Sequence, residues 1–236
     1  MTTPQTRAIA IPLPGGTAVS GLLTEPRPAR AAYVLAHGAG AGMSHPFMNA
    51  VAERLGDRHI ATLRYQFPYM EHGSRRPDRP AVAHATVQAA VAEARRQLGD
   101  LPLFAGGKSF GGRMTSQTQA ETPLPAVLGL IFLGFPLHPA NRPSSDRAQH
   151  LAVVRVPMLF LQGTRDALAE PDLIARVAAT PGTRATLITV ADADHSFHVP
   201  ARSGRTDAQV LGELCDVMAA WMTEQAVEAA ATAGRP

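Results

Sequence analysis

Short apolar runs alternate along the chain with longer stretches of helical periodicity. Residues 32–36 (AYVLA) form a continuous apolar run, which is typical of a strand buried on both faces of a parallel sheet. Residues 81–98 place Val87, Val91 and Leu98 on one face, as in an amphipathic helix. In full, the pattern predicts strands over residues 7–11, 17–24, 32–36, 60–65, 101–106, 126–134, 156–162 and 186–190, and helices over 46–55, 81–98, 109–119, 172–179 and 207–222.

This alternation predicts an α/β fold, with a mostly parallel central sheet of about seven to eight strands and helices on both faces. Pro14-Gly15-Gly16 is a turn signal, so the first two strands are expected to form an antiparallel hairpin. No internal repeat or linker is evident, and one domain is expected over residues 1–236. Residues 1–5 and the Ala-rich residues 224–236 are expected to fray.

Composition narrows the function classes. Lys and Arg total 22 against 19 Asp and Glu, and Lys108 is the single lysine. The longest basic cluster, residues 75–79, is too short to follow a phosphate backbone, so nucleic-acid binding is not expected. The single cysteine, Cys215, excludes an intramolecular disulfide and a Cys-rich metal site. The first residues lack a signal-peptide pattern and no apolar run approaches the ~20 residues of a membrane span, so we expect a cytoplasmic protein that is not membrane-bound.

Gly107-Lys-Ser109-Phe-Gly111 fits the pattern G-x-S-x-G between a predicted strand and a predicted helix. This context is the one that a nucleophile elbow requires, with the serine on a strained turn and small residues around it. A P-loop would need glycine five residues before Gly107, where this chain has Pro102. A chance match in a Gly-rich chain is the remaining alternative. The context favours Ser109 as a nucleophile.

A nucleophilic serine needs a base and an acidic residue that orients the base, and in such a fold they follow in the order Ser, Asp, His. Asp166 follows the predicted strand 156–162, although a turn or helix-capping role is the alternative. His195 lies in the loop before the last helix, with His198 as a competitor. The order therefore predicts a triad of Ser109, Asp166 and His195.

An oxyanion hole should accompany the triad. One donor is expected to be the backbone N–H of Phe110, the residue after the nucleophile. The second should come from the small residues after strand 32–36, with Ala39 as the choice and Gly40 as the fallback. The alternative is that the glycines of this loop are needed only for the backbone conformation of a turn.

Six segments carry a family resemblance: HGAGAG (residues 37–42), GGKSFGG (106–112), LQGTRD (161–166), DADHSF (192–197), FPYM (67–70) and GFPLHP (134–139). They resemble the α/β-hydrolase superfamily, in particular its small, lid-poor branch near the dienelactone hydrolases. They are also similar to the bacterial relatives of the hydrolase-like domain in the third subunit of the NSL chromatin complex. The best-known dienelactone hydrolases use a cysteine nucleophile, whereas this chain has Ser109.

The resemblance implies a serine hydrolase of the α/β-hydrolase fold. Residues 135–155 are too few for a substantial lid, so the cleft should be open and suited to small or short-acyl esters or lactones. Tyr69 and Met70, in the polar connection 66–80, and His138 are candidate substrate-binding residues, with surface packing or turn capping as the alternatives. The same triad would serve a thioesterase, an acyltransferase or a peptidase, and a non-catalytic binding module is the rival from another class.

No metal and no cofactor are implied, because the nine histidines form no metal-binding motif and triad chemistry needs neither. The expected partner is a small-molecule ester. A monomer or a homodimer is expected.

Overall fold

Eight strands form one sheet in the computed structural model, which describes residues 5–180 and 184–233. In chain order they are β1 Gln5–Pro12, β2 Ala18–Glu25, β3 Ala31–Ala36, β4 Ile60–Tyr65, β5 Leu103–Lys108, β6 Val127–Leu133, β7 Met158–Gly163 and β8 Ala185–Val190. Their order across the sheet is β1-β2-β4-β3-β5-β6-β7-β8. Strands β3 to β8 are parallel, and the hairpin β1–β2 joins β4 in antiparallel pairing.

Side chains of the central strands alternate between two hydrophobic layers. In β3, Tyr33 and Leu35 pack in one layer and Val34 in the other. In β6, Ile131 and Phe132 divide in the same way. Because side chains of a strand point to opposite faces in turn, a sheet covered on both faces needs apolar residues at every position. This requirement explains the continuous apolar runs in the sequence.

Helices cover both faces of the sheet. They are α1 Pro46–Gly56, α2 Pro68–Glu71, α3 Pro80–Leu98, α4 Phe110–Glu121, α5 Pro171–Ala178 and α6 Asp207–Ala233. Helices α1 and α6 contact each other, and Val51 and Met218 share a layer with Tyr33. Helices α3 and α4 pack on the opposite face, where Val91 and Met114 share a layer with Val34. The predicted α/β class, the hairpin and the helices on both faces are confirmed.

Residues 135–155 form no lid. Their regular part is a 3₁₀ helix, Asp146–Val153, which packs against α4. Ala148 and Leu151 are buried there in the same hydrophobic layer as α4. The segment thus lies along the side of the sheet and leaves its carboxyl edge open.

Both β1 and α6 are longer than the sequence predicts. The helix predicted over residues 207–222 continues as α6 to Ala233, past the buried Met222. Alanine has the highest helix propensity, so an Ala-rich segment extends a helix even where it is mostly exposed. At the other end, Gln5 pairs with Glu25 in the hairpin. The fraying expected of residues 1–5 and 224–236 stays a prediction, and residues 1–4 and 234–236 lie outside the described residues.

Candidate active site

Ser109 lies on the turn between β5 and α4, at the carboxyl edge of the sheet. Its φ of 49° and ψ of −115° are strained for a residue with a side chain, at a cost on the order of 1–3 kcal/mol. A β-carbon on Gly107 would lie 2.2 Å from the carbonyl oxygen of Ala36, and one on Gly111 would lie 2.6 Å from the same oxygen. These glycines therefore allow β5 and α4 to approach β3 closely, and the turn projects Ser109 from the sheet.

The structure brings Ser109, Asp166 and His195 together. His195 Nε2 lies 2.9 Å from Ser109 Oγ, and His195 Nδ1 lies 2.7 Å from Asp166 Oδ2. The buried carboxylate accepts from Nδ1–H, which leaves Nε2 as the acceptor for the serine O–H. In this tautomer, the imidazole is arranged to take a proton from Ser109.

The Asp166 carboxylate is held by further donors. Its side chain is fully buried, and Oδ1 accepts the backbone N–H of Leu168 at 2.8 Å. Gln162 Nε2 donates to Oδ2 at 2.5 Å, while Gln162 Oε1 accepts the N–H of Phe135 at 2.9 Å. Sequence reasoning missed Gln162, although it is the one polar side chain in the buried strand β7, MLFLQG. That polarity is the signal that could have found it, since buried polar groups are hydrogen-bonded.

Asp194 and His198, in the loop that carries His195, form hydrogen bonds that stabilise this loop. Asp194 Oδ1 accepts the N–H groups of Ser196 and His198, at 2.7 and 3.0 Å. The exposed His198 imidazole lies 2.9 Å from the carboxylate of Asp207, and this hydrogen bond raises the pKa of His198. His198 is thus directed away from Ser109, and Asp194 does not take the place of Asp166.

The backbone N–H groups of Ala39 and Phe110 are the predicted oxyanion donors. Phe110 is the first residue of α4, where the amides have no acceptor within the helix. Neither amide donates to another described residue. Gly40, the fallback, is engaged elsewhere, because its N–H donates to the hydroxyl oxygen of Tyr69 at 3.1 Å.

His37 anchors the start of the same loop. Its buried imidazole contacts the carbonyl oxygen of Gly38 through Nδ1 at 2.8 Å, and Nε2 accepts the N–H of Phe67 at 3.2 Å. Burial lowers the pKa of His37, with the Gly38 hydrogen bond acting in the opposite direction. The neutral imidazole can make both bonds at once, so it fixes the loop to the segment that precedes α2.

A cleft of about 450 Å³ opens beside Ser109 and His195. Its walls include apolar side chains of α1 and of the loop after β7, namely Phe47, Met48 and Leu168. The lining also includes Lys108. An apolar cleft with a few convergent polar groups is the usual form of a small-molecule site.

The three predicted substrate-binding residues do not line this cleft. Tyr69 is buried, with its hydroxyl on Gly40 and its N–H donating to Asp78 Oδ2 at 2.9 Å. Met70 lies against Gly42, behind the same loop. His138 is fully buried, with Nε2 at 2.5 Å from Glu170 Oε2. The polar connection forms α2 against the loop and His138 packs beside α5, so none of the three lines the cleft, and their contact with substrate stays a prediction.

Within residues 5–180 and 184–233, no helix has the length and apolarity that crossing a bilayer requires. Over the same residues, no group of three or more His, Cys, Asp or Glu side chains could hold a metal ion.

The fold and the site together define a class. A mostly parallel eight-stranded sheet that carries a serine on a strand–turn–helix elbow, beside a histidine and an aspartate from later loops, is the arrangement of an α/β hydrolase. The family model described as alpha/beta hydrolase domain matches residues 29–223, and the chain belongs to this family.

Solved structures share this fold at low sequence identity. Dienelactone hydrolase from Anabaena variabilis is 21% identical, with a TM-score of 0.75 over 94% of this chain and 99% of that chain. An α/β serine hydrolase without a lid from Xanthomonas campestris is 20% identical, with a TM-score of 0.72 over 92% and 95%. Est1E from Butyrivibrio proteoclasticus with bound ferulic acid is 16% identical, with a TM-score of 0.72 over 93% and 99%.

Proposed function

We propose that the protein is a serine hydrolase that cleaves carboxylic esters of small or short acyl groups. The observation that carries the proposal is the continuous hydrogen-bonded chain from Ser109 Oγ through His195 to the buried Asp166 carboxylate. This chain of bonds opens onto a cleft that Ala39 also lines, and the N–H groups of Ala39 and Phe110 donate to no other described residue. A binding module would have no need for a serine in a strained conformation beside a base.

In the first half-reaction, Ser109 Oγ attacks the acyl carbonyl carbon while its proton passes to His195 Nε2. The negative charge that develops on the carbonyl oxygen is stabilised by the N–H groups of Ala39 and Phe110. Asp166 stabilises the imidazolium that forms. The tetrahedral intermediate then collapses, and the imidazolium gives its proton to the departing alcohol oxygen, which leaves an acyl-Ser109 ester.

In the second half-reaction, water attacks the acyl carbon and His195 takes its proton. Collapse of this intermediate returns the proton to Ser109 Oγ and releases the carboxylic acid. The N-terminus of α4 favours each oxyanion, because Phe110 begins that helix and the positive end of the helix dipole lies there.

The substrate range follows from the open cleft. Residues 135–155 pack beside α4, so little of a long acyl chain would be covered. A lactone is an internal ester and would react through the same steps, and the name of the Anabaena structural neighbour supports its inclusion. Thioesters and short peptides use the same chemistry and belong in the substrate panel.

Labelling with a fluorophosphonate tests the proposal directly. Ser116 provides a matched control, since its Oγ also lies 2.8 Å from a histidine nitrogen, of His150, but is fully buried. We expect the probe to label Ser109 alone. We also expect Ser109→Ala to remain folded and lose ester hydrolysis by about 10⁴-fold or more, whereas Ser116→Ala keeps it. A folded, unlabelled protein without activity on the panel would support the binding module instead.

A further inference from the structure

Lys108, the only lysine in the chain, links the nucleophile strand to the loop of the base. It immediately precedes Ser109 at the end of β5. Its Nζ donates to the backbone carbonyl oxygen of His195 at a distance of 2.5 Å. The two catalytic groups arrive from β5 and from the loop after β8, and two other strands lie between β5 and β8 in the sheet. The Lys108 side chain joins the end of β5 to this loop where the loop returns to Ser109.

Aromatic rings enclose the ammonium. Nζ lies 5.5 Å from the ring centroid of Phe197 and 6.0 Å from that of Phe47. The two rings are nearly parallel, with centroids 6.1 Å apart. A β-carbon on Gly134, after β6, would lie only 2.9 Å from Nζ and 3.4 Å from His195 Nδ1. The ammonium is therefore packed tightly beside the base, in a space that a larger residue at 134 would fill.

The loop that Lys108 holds contains strained backbone. Asp192 and Phe197 have φ angles of 59° and 64°, which are unfavourable for residues with side chains. Such conformations persist only where the surrounding contacts fix them. A charge-assisted hydrogen bond to the carbonyl of His195 is a contact of this kind, because it acts on the residue that carries the base.

We propose that Lys108 is a positioning residue: by donating its ammonium N–H to the carbonyl oxygen of His195, it keeps the imidazole aligned with Ser109. This inference rests on the proposed function of Ser109 and His195. Lys108 contacts the backbone of His195 and not the reacting atoms. Its loss should therefore lower kcat more than it changes KM.

The ammonium is also sensitive to pH. Burial lowers the pKa of Lys108 to about 8, against the opposing effects of Asp166 and Asp194. Those carboxylates, the imidazole of His195 and, at the start of α1, that of His45 are the titratable groups that face this part of the cleft. Above pH 8 the neutral amine would donate a weaker bond to the carbonyl.

The test measures kcat and KM between pH 6 and 10 on p-nitrophenyl butyrate. Lys108→Met keeps the stem and removes the donor, and His198→Gln is a control in the same loop. Since a shift of about 1 Å can cost 10²-fold, we expect Lys108→Met to lower kcat about tenfold to a hundredfold at pH 7 with KM changed less than about threefold. In the wild type and in the control, kcat should fall about fivefold above pH 8, and Lys108→Met should lack this fall.

Protein labelled with [¹³C]lysine gives a side-chain signal from Lys108 alone, so its ionisation can be compared with the fall in kcat. Should Lys108→Met not fold, Lys108→Gln, which keeps a neutral donor, is expected to show an intermediate kcat without the alkaline fall. Unchanged kcat at pH 7, or an alkaline fall that persists without the lysine, would overturn the proposal. Because Ser109→Ala reports on the nucleophile separately, an inactive Ser109→Ala beside a fully active Lys108→Met would refute only the role of Lys108.

Discussion

The Gly40 amide donates to the hydroxyl oxygen of Tyr69, a residue that lies outside the cleft. Through this bond, the short helix α2 supports the loop that carries Ala39, whose N–H is a proposed oxyanion donor. Tyr69 also packs at right angles to Phe110, with ring centroids 6.3 Å apart. Tyr69 thus contacts Phe110, one proposed oxyanion donor, and the loop that carries Ala39, the other.

Removing the Tyr69 hydroxyl should therefore weaken catalysis. Tyr69→Phe leaves the Gly40 N–H without its acceptor, and a bond of about 1 kcal/mol corresponds to a loss of about fivefold in kcat. Tyr33→Phe is the matched control, because that buried hydroxyl donates to the Ile131 carbonyl in the other hydrophobic layer of the sheet. Steady-state kinetics should show reduced kcat for the first variant only. Equal kcat in both would mean that Tyr69 does not position the loop.

The two histidines of the loop provide a paired test of the base. His195→Gln should lower kcat by about 10⁴-fold or more, because the proton of Ser109 then has no acceptor. His198→Gln loses only the exposed contact with Asp207 and should retain activity. Both variants should be compared by kcat/KM and by fluorophosphonate labelling rate. A larger loss in His198→Gln would contradict the assignment.

Gln162 should matter for both stability and catalysis. Gln162→Leu removes a donor from Asp166 and an acceptor from the Phe135 N–H. Gln119→Leu is a matched control, since Gln119 Oε1 likewise accepts a buried N–H, from Leu124, away from the site. We expect each variant to lose about 1–3 kcal/mol in the free energy of unfolding. Only Gln162→Leu should also lower kcat, by about tenfold. Denaturant unfolding measures the loss of stability and steady-state kinetics the loss of kcat. An unchanged kcat would limit Gln162 to a structural role.

Acyl-chain length tests the open cleft. Each methylene buried from water gains about 0.8 kcal/mol, so an enzyme that covers a long chain prefers it. With residues 135–155 packed beside α4, we expect kcat/KM to fall beyond short chains in a series of acetyl, butyryl, octanoyl and palmitoyl esters. No activation at a lipid–water interface is expected. A rise towards palmitoyl would mean that another part of the protein covers the chain.

Acid should destabilise the protein through His150. Burial, followed by the charges of Arg113 and His84, lowers the pKa of His150 to about 4. The unfolded chain therefore binds a proton that the folded protein excludes between about pH 6.5 and 4, and the free energy of unfolding falls as pH falls through this range. Denaturant unfolding at pH 7 and pH 4.5 should show a smaller acid loss in His150→Gln than in the wild type. Equal losses would assign the acid sensitivity to other groups.

The fold was accessible from the sequence because its signals are local. The continuous apolar runs at β3 and β6 follow from burial on both faces, and the glycines around Ser109 mark the elbow. The proximity of Ser109, Asp166 and His195 is also predictable, since the carboxyl ends of parallel strands share one edge of the sheet. The end of α6 is not, because the apolar periodicity that marks a helix stops where the side chains become exposed.

The missed interactions depend on distance across the fold. The connection that contains Tyr69 follows a strand end at the carboxyl edge, which predicts a contact with substrate, but the Tyr69 hydroxyl accepts the N–H of Gly40 within the protein. Gln162 accepts from Phe135, 27 positions away in the sequence, and Lys108 donates to His195, 87 positions away. The residues around Lys108 in the sequence do not show whether its side chain contacts the His195 loop or lies on the surface.

The cleft lies at the carboxyl edge of the sheet, and the opposite edge takes no part in it. The cleft is lined by residues that follow the carboxyl ends of strands, such as Gly38, Leu168 and Ser196. The opposite edge holds the short connections 99–102, 122–126 and 154–157, none of which reaches the cleft. Exposed positions there, Asp100 among them, are suitable for inserting a reporter domain or for attachment to a solid support. A molecule tethered in this way would leave the cleft beside Ser109 open to the surrounding solution.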